Sequence, residues 1–437
     1  MRLLLLFLSL AGAVISTGRN AYISILSSDD FILPAKVMAY RLRKLNDSIP
    51  FVILATEDVS NATIETLLAR DVMILQISKI DTPFAETHAG AKYQYTKIRL
   101  WSLTEFDTLF HIDLDTLPLQ DTSSAFNCGS FCATFRHSDK FNAGVFVLKP
   151  NLTVYRSLLE QSSKLGSYDG GDQGFFNTFF SDLKYAPMFN DLGEQKFQAD
   201  IMRLSASYNF DIGMYYMNGG RRLIQPKIIH FTLGPTKPWN WWTFPAFDLN
   251  QEWLDARLEM ETFYGEADPD KLLILLGLLV IAVLFVVREL LFFTVKNRLR
   301  VDTLTIWETD HLPYGTVIFS LFTAFQLTPT FCHPVTSWMF FSATGVALSL
   351  CSIEVWLWLR LGQPRPLLQL ICSAVLSLSL VGSSWTFLAM IPQFGPRAIL
   401  TIPVAVANVL FLVQLSKALI APPPEYQQLP FTKHCLQ

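Results

Sequence analysis

Charge is scarce in this chain and nearly balanced: only 16% of its 437 residues are Asp, Glu, Lys or Arg, and the formal net charge is -3. No long basic run is present, which excludes the electrostatic footprint of a nucleic-acid binder. Cysteine is sparse too. Six residues do not make a disulfide scaffold in a chain of this length. Cys128 and Cys132 are the only pair ahead of the apolar C-terminal part and can close a local disulfide. With no second pair beside them, their spacing argues against a zinc site. Cys332, Cys351 and Cys372 lie among apolar residues, where they read as small hydrophobes.

What the chain has in excess is apolar residues, 51% of the total, gathered at the extreme N-terminus and after about residue 271. Met1-Arg2, the run Leu3 to Leu10 and Ala11-Gly12-Ala13 have the basic start, short apolar core and small-residue end of a secretory signal peptide, taken as 1–17. That core is too short for a comfortable span. Further on, apolar blocks run over 272–293, 314–331, 335–359, 367–391 and 398–420, about five transmembrane helices. Lys296, Arg298, Arg300, Arg360, Arg365 and Lys417 fall on one side if the first span runs from lumen to cytosol, with Arg397 the single exception. The expected organisation is therefore a lumenal domain at 18–247, an acidic juxtamembrane linker at 248–271, the spans over 272–420 and a cytosolic tail at 421–437. Sequons at Asn46, Asn61 and Asn151 all precede the spans and are candidate glycosylation sites. Glu354, at the cytosolic end of a span beside Trp356, Trp358 and Arg360, reads as interfacial, as do Arg288 and Glu289. So few buried charges argue against a transporter or channel.

The soluble part alternates strand-like and helical segments: Ala21 to Leu26, Phe31 to Leu45, Phe51 to Ala55, Ile64 to Ala69. Such alternation predicts an open α/β sheet with a parallel core, with its ligand at the carboxyl ends of the strands. Leu109 to Thr116 is a short apolar run closing in Asp113-Leu114-Asp115. If the run is a strand, its period of two puts both carboxylates on one face, where they can hold a divalent cation. The bland alternative is a loop Asp that caps the next element. Phe141 to Val147 places Asn142 at the start of another strand. Asp169-Gly170-Gly171-Asp172-Gln173-Gly174 is either a sugar-facing turn, with carboxylates and an amide for hydroxyls, or an ordinary helix entry. His230 ends a third apolar run as a core histidine or a metal ligand, and Lys237 precedes Pro238-Trp239. An ammonium there suits a departing diphosphate.

Together these segments resemble the glycogenin-type retaining glycosyltransferases (family GT8) in order and spacing over residues 21–242: Ala21–Phe31, Thr96-Lys97, Trp101-Ser102-Leu103, Asp113-Leu114-Asp115, Phe141–Phe146, Asp169–Gly174 and His230–Trp239. The resemblance implies an α/β GT-A (Rossmann-like) catalytic domain ahead of an all-α multi-span region, a UDP-sugar donor and Mn²⁺ or another divalent cation. It implies Asp113, Asp115 and His230 as metal ligands. It also implies Ile25, Leu26, Ser27 and Phe31 at the uridine, with Phe31 where a tyrosine is frequent. Lys97, Leu114, Asn142, Asp169 and Gln173 would lie along the donor, Gly234 and Lys237 at the diphosphate. Asp172, Gln173 and Lys237 would be catalytic. One residue more separates His230 from Gly234 than in glycogenin. The pattern from His230 to Trp242 and the multi-span tail are similar to the plant inositol phosphorylceramide glucuronosyltransferases. That implies a Golgi membrane enzyme with a lumenal catalytic domain, moving glucuronic acid from its UDP donor to a sphingolipid. Arg203 and Arg136 are candidate partners for the uronate carboxylate, against a plainer structural role. The alternatives are another UDP-sugar or acceptor, and a catalytically silent membrane scaffold that keeps the fold.

Overall fold

The structure is a computed structural model. It describes residues 19–83, 93–135, 138–191, 199–271, 308–361 without 309, 366–420 without 393, and scattered positions from 273 to 290. The signal-peptide segment, the 421–437 tail, Arg136 and most of the 272–293 block lie outside the described residues. The chain divides into two compact units, one of residues 1–234 with 256–260 and one of 235–255 with 261–437.

The first unit is built on a seven-stranded sheet. Its strands are β1 (Asn20–Leu26), β2 (Phe51–Ala55), β3 (Met73–Gln76), β4 (Thr108–Ile112), β6 (Phe131–Phe135), β7 (Phe141–Leu148) and β8 (Ile201–Leu204). They lie in the order β3-β2-β1-β4-β7-β6-β8. The predicted parallel core holds for β3, β2, β1 and β4. Beyond it the sheet is mixed, because β7 runs antiparallel to both β4 and β6. Nothing in an apolar run states its direction: strands buried on both faces read alike either way.

Strands β2, β4 and β7 are buried along their whole length. Alternate residues feed two cores. Phe110, Ile112, Val145 and Val147 enter one with Tyr22, Met38 and Leu42, the last two from helix α1 (Ile32–Leu45). Leu109, Phe146 and Leu148 enter the other, around Trp101. Trp101 stacks on Phe146 at 5.8 Å and on Phe180 at 5.7 Å. Helices α2 (Asn61–Leu68), α3 (Leu152–Gln161) and α4 (Asp172–Phe179) complete the layers. Cys128 and Cys132 are disulfide-bonded.

A second, three-stranded sheet does most to shape the site. Strand β5 (Thr116–Pro118) pairs antiparallel with β10 (Ile228–His230), which pairs parallel with β9 (Phe210–Asp211). Helix α5 (Ile212–Met217) follows β9, its first turn capped by Asp211. Because His230 pairs with Thr116, the imidazole 115 residues down the chain arrives beside Asp115.

The second unit contains most of α6 (Asn250–Tyr264), closed by Gly265 in the left-handed conformation at φ 61° that glycine adopts without strain. It also holds α7 (Leu312–Leu327), α8 (Pro334–Leu361), α9 (Leu367–Ala389) and α10 (Phe394–Ile420). Three described helices, over Pro334–Trp358, Leu367–Ala389 and Phe394–Ile420, are long and apolar enough to cross a membrane. Leu312–Leu327 is apolar but shorter.

Candidate functional site

Asp113 is the first residue beyond β4, and its backbone N–H donates to the Gly144 carbonyl at 2.8 Å. This bond carries the β4–β7 ladder one step past the strand end and sets Asn142, Ala143 and Gly144 against the carboxylate. A tight turn comes next, in which the Thr116 N–H donates to the Asp113 carbonyl at 3.1 Å. Asp115 is then fixed from the other side, its carbonyl accepting the Phe231 N–H at 2.9 Å. One oxygen each of Asp113 and Asp115 and one imidazole nitrogen of His230 lie within 4.8 Å of one another. They line a cleft of about 740 Å³ together with Ile25, Ser27, Phe31, Lys97, Asp172 and Gln173.

The neighbours of His230 fit a cation. Its Nδ1 lies 2.9 Å from the Asn209 Oδ1, and the Asn209 Nδ2 donates to the Asn142 Oδ1 at 2.9 Å. Asn209 Oδ1 is thus the acceptor, so Nδ1 carries the hydrogen and a neutral ring turns the Nε2 lone pair outward. That lone pair faces the Asp115 Oδ1 at 3.2 Å. Two acceptors pointed at each other are satisfied by a positive centre between them, and two carboxylates with one imidazole suit a divalent ion. The relay continues from Asn142 Nδ2 to Gln173 Oε1 at 2.8 Å and from Gln173 Nε2 to the Tyr168 hydroxyl at 2.8 Å. Four side chains thereby extend from the imidazole to the cleft wall at Gln173 and on to Tyr168.

Lys97 anchors that wall. Its ammonium donates to the Asp113 Oδ2 at 3.0 Å and the Ala143 carbonyl at 3.0 Å, and lies 2.8 Å from the Asp172 Oδ2. Burial opposes its charge, but the carboxylates of Asp113 and Asp172 outweigh that and raise its pKa well above the usual lysine range. The two carboxylates respond differently. Burial would raise Asp113, yet Lys97 and the His111 N–H hold it below the usual carboxylate range. Burial dominates at Asp172 and pushes it up in spite of Lys97.

Of the residues singled out in the sequence, Ile25, Ser27, Phe31, Lys97, Asp113, Leu114, Asp115, Asn142, Asp172, Gln173 and His230 all line this cleft. Leu26 does not; its side chain is fully buried in the core. Asp169 serves its own loop, with Oδ1 accepting from the Ser167 hydroxyl at 2.8 Å, Gly171 N–H at 3.0 Å and Gly174 N–H at 2.9 Å. That is the helix-entry reading, helped by Gly170 at φ 71°. Gly234 is exposed, and a Cβ there would meet nothing within 4 Å. Lys237 falls in the second unit. Arg203 donates to the Ala186 carbonyl at 2.7 Å and is not part of the cleft wall, in keeping with a structural role. Asn61 and Asn151 are exposed and Asn46 is half-buried.

Sequence reasoning missed Thr56, Tyr93, Gln94 and Thr232 in the cleft wall and Asn209 behind His230, and it quoted Thr96, Ala143 and Gly144 within motifs without giving them a role. Gly144 carried a legible signal, a glycine inside a strand-like run. A Cβ on it would fall 2.2 Å from the His230 Cε1 and 2.9 Å from the Asp113 Oδ2. Asn209 carried none, since only the pairing of β9 with β10 brings it there.

Residues 133–243 match the family model described as glycosyl transferase family 8. The match runs from β6 to just past β10 and so covers the later part of the α/β domain. Inositol phosphorylceramide glucuronosyltransferase 1 of Arabidopsis thaliana is 29% identical over 252 residues, 56% of this chain and 47% of that protein. Glycogenin-1 of Caenorhabditis elegans is 30% identical over 231 residues, 51% of each. The chain thus spans about half the length of the curated relatives it matches. Among solved structures, galactosyltransferase LgtC, with donor and acceptor sugar analogues, aligns at 14% identity and a TM-score of 0.40, over 55% of this chain and 95% of that one. GlyE of Streptococcus pneumoniae aligns at 18% identity and a TM-score of 0.41, over 55% and 61%.

Proposed function

We propose that this chain, which carries a glycosyl transferase family 8 segment, transfers a sugar from a UDP-sugar to a membrane lipid with retention of configuration. The observation that carries the reading is the convergence of Asp113, Asp115 and His230 on one point of an open cleft. A divalent cation held there, Mn²⁺ being the best candidate, supplies charge neutralisation for the diphosphate of the donor. Ile25, Ser27 and Phe31, which line the cleft, are assigned to the uracil and ribose. Lys97, Asn142 and Gln173 supply donors and acceptors for the sugar hydroxyls, while Asp172, held on the Lys97 ammonium, lies at the reacting side. Lys237 is assigned to the diphosphate on sequence grounds alone.

Glucuronic acid is the proposed sugar and inositol phosphorylceramide the proposed acceptor. Both rest on the names of the similar plant proteins and on a reason for apolar helices: they keep a lipid acceptor within reach. On this reading residues 1–17 are a signal peptide, 18–247 a Golgi-lumenal domain glycosylated at Asn46, Asn61 and Asn151, 248–271 a linker, and 421–437 a cytosolic tail. The test is a transfer assay on the full chain in detergent, with a panel of UDP-sugars, Mn²⁺ and total sphingolipid extract. UDP-glucuronate is expected to label a sphingolipid, and Asp113→Ala to abolish the label. A product from another donor only would overturn the sugar and acceptor assignments. Metal-independent labelling would overturn the site.

A further inference from the structure

The cleft is backed by a second histidine that the proposed chemistry does not use. His111 is fully buried in β4, two residues before Asp113 and on the same side of the strand. Its ring packs against Phe146 with centroids 4.7 Å apart, and its Nε2 lies 3.0 Å from the Asp113 Oδ1. The Nδ1 has no hydrogen-bond partner. An ionised carboxylate only accepts, so Nε2 is the nitrogen that carries the hydrogen, in the neutral ring and in the charged one alike. The other oxygen of Asp113 accepts from Lys97 at 3.0 Å. Asp113 is therefore gripped at both oxygens, by a flexible ammonium on one side and by a ring locked inside the sheet on the other.

We propose that His111 is a positioning residue for the divalent cation: its N–H fixes the plane of the Asp113 carboxylate and so sets the affinity of the Asp113–Asp115–His230 site for the metal. This rests on the reading of Asp113 as a ligand. A carboxylate on a single Cβ rotates about χ2 through a broad well, and a ligand must sit within a few tenths of an ångström of its productive place. Lys97 cannot supply that alone, because its ammonium is shared with Asp172 and Ala143. The partner that orients a ligand commonly governs metal affinity about 10–100-fold. The burial of His111 in a central strand, with a ring nitrogen left unsatisfied, is a cost that hydrophobic packing does not explain. A phenylalanine would fill the same place without it.

The experiment is Mn²⁺ binding, without nucleotide, to the purified full chain in detergent, read as the loss of the free-ion electron paramagnetic resonance signal. His111→Phe keeps the ring and removes the donor; His111→Gln keeps a donor at a similar reach. The expected result is a Kd weakened about 10–100-fold in His111→Phe and returned close to the native value in His111→Gln. In turnover, His111→Phe is expected to raise the Mn²⁺ concentration for half-maximal rate while leaving the rate at saturating Mn²⁺ near native. His111→Met, also without a donor, replaces the phenylalanine variant if that fails to fold. A donorless variant that binds Mn²⁺ as tightly as the native chain overturns the proposal, as does His111→Gln binding no better than His111→Phe. Asp113→Ala separates the two readings: if it too binds normally, the ligand assignment itself has failed.

Discussion

Asp172 and Asp113 share one ammonium, yet burial and Lys97 leave them on opposite sides of the usual carboxylate range. The consequences for stability have opposite signs. A folded-state pKa above the unfolded value means that the fold prefers Asp172 protonated, so its charge costs stability at neutral pH. Asp172→Asn should raise the melting temperature of the metal-free chain at pH 7, and the gain should shrink as pH falls into the carboxylate range. The same variant should lower transfer about 10²-fold or more, the order seen when a group at the reacting centre is removed. Asp113 behaves inversely. Its depressed pKa stabilises the fold above about pH 4, the unfolded value, and that contribution is lost as pH falls through the folded one. Asp113→Asn should therefore lower the melting temperature at pH 7, with the difference closing only in stronger acid. A melting series from pH 3 to 8 in the presence of a chelator checks both signs. Gly144 permits a third test at this scale. Its missing Cβ leaves the space that His230 and Asp113 occupy, so Gly144→Ala should weaken Mn²⁺ binding at least ~10-fold, read by calorimetry.

At the scale of elements, α4 and β7 are tied by one side chain. Asn177, in α4, accepts the Phe141 N–H at 2.9 Å and donates to the Phe141 carbonyl at 2.8 Å, closing the backbone of the first residue of β7. Asn177→Ala leaves two buried backbone groups unsatisfied and should cost about 2–3 kcal/mol, measurable as a lower melting temperature. Because β7 carries Asn142 and Gly144, the loss should reach the cleft as weaker donor binding. The elements themselves were largely legible: β1, β2, β4 and β7 all fall on apolar runs read from the sequence. Their directions were not. The reversed β7 brings the N-terminal end of that strand, with Asn142, against the C-terminal end of β4, which a purely parallel sheet would not do. Asp169 shows how local bonding acts on such a residue. Its carboxylate belongs to its own turn, and local hydrogen bonds of that kind compete with any outward role.

In the second unit, charges that looked anomalous in the sequence have partners. Glu354, read as interfacial, accepts from the Arg288 Nε at 2.9 Å, and both side chains are largely buried. Breaking such a pair takes the carboxylate from a largely buried guanidinium, so Glu354→Ala should destabilise the detergent-solubilised chain by about 3–5 kcal/mol. Replacing both residues by methionine should be close to neutral, and thermal unfolding of the two variants separates the cases. Arg397, the exception to the charge asymmetry, donates to the carbonyls of Ile391 at 2.8 Å, Pro245 at 3.0 Å and Ala389 at 3.1 Å. Its guanidinium thus satisfies carbonyls at and just past the end of α9, together with that of Pro245. His333 has carboxylates at both ring nitrogens, Glu261 at 2.6 Å and Asp270 at 2.8 Å, a closed bridge rather than an open ligand set.

By itself the sequence determined the composition of the two halves, the strand-end carboxylate pair Asp113 and Asp115, and the apolar lengths over Pro334–Trp358, Leu367–Ala389 and Phe394–Ile420. These are properties of contiguous residues, where periodicity and hydropathy act over a few positions. Only the tertiary structure decided that His230 meets Asp115, that Asn209 turns the imidazole, and that His111 and Lys97 grip the two oxygens of Asp113. The physical reason is strand pairing. The register of β10 with β5 brings residues about a hundred positions apart within hydrogen-bond reach, its register with β9 residues about twenty apart, and no local pattern encodes either.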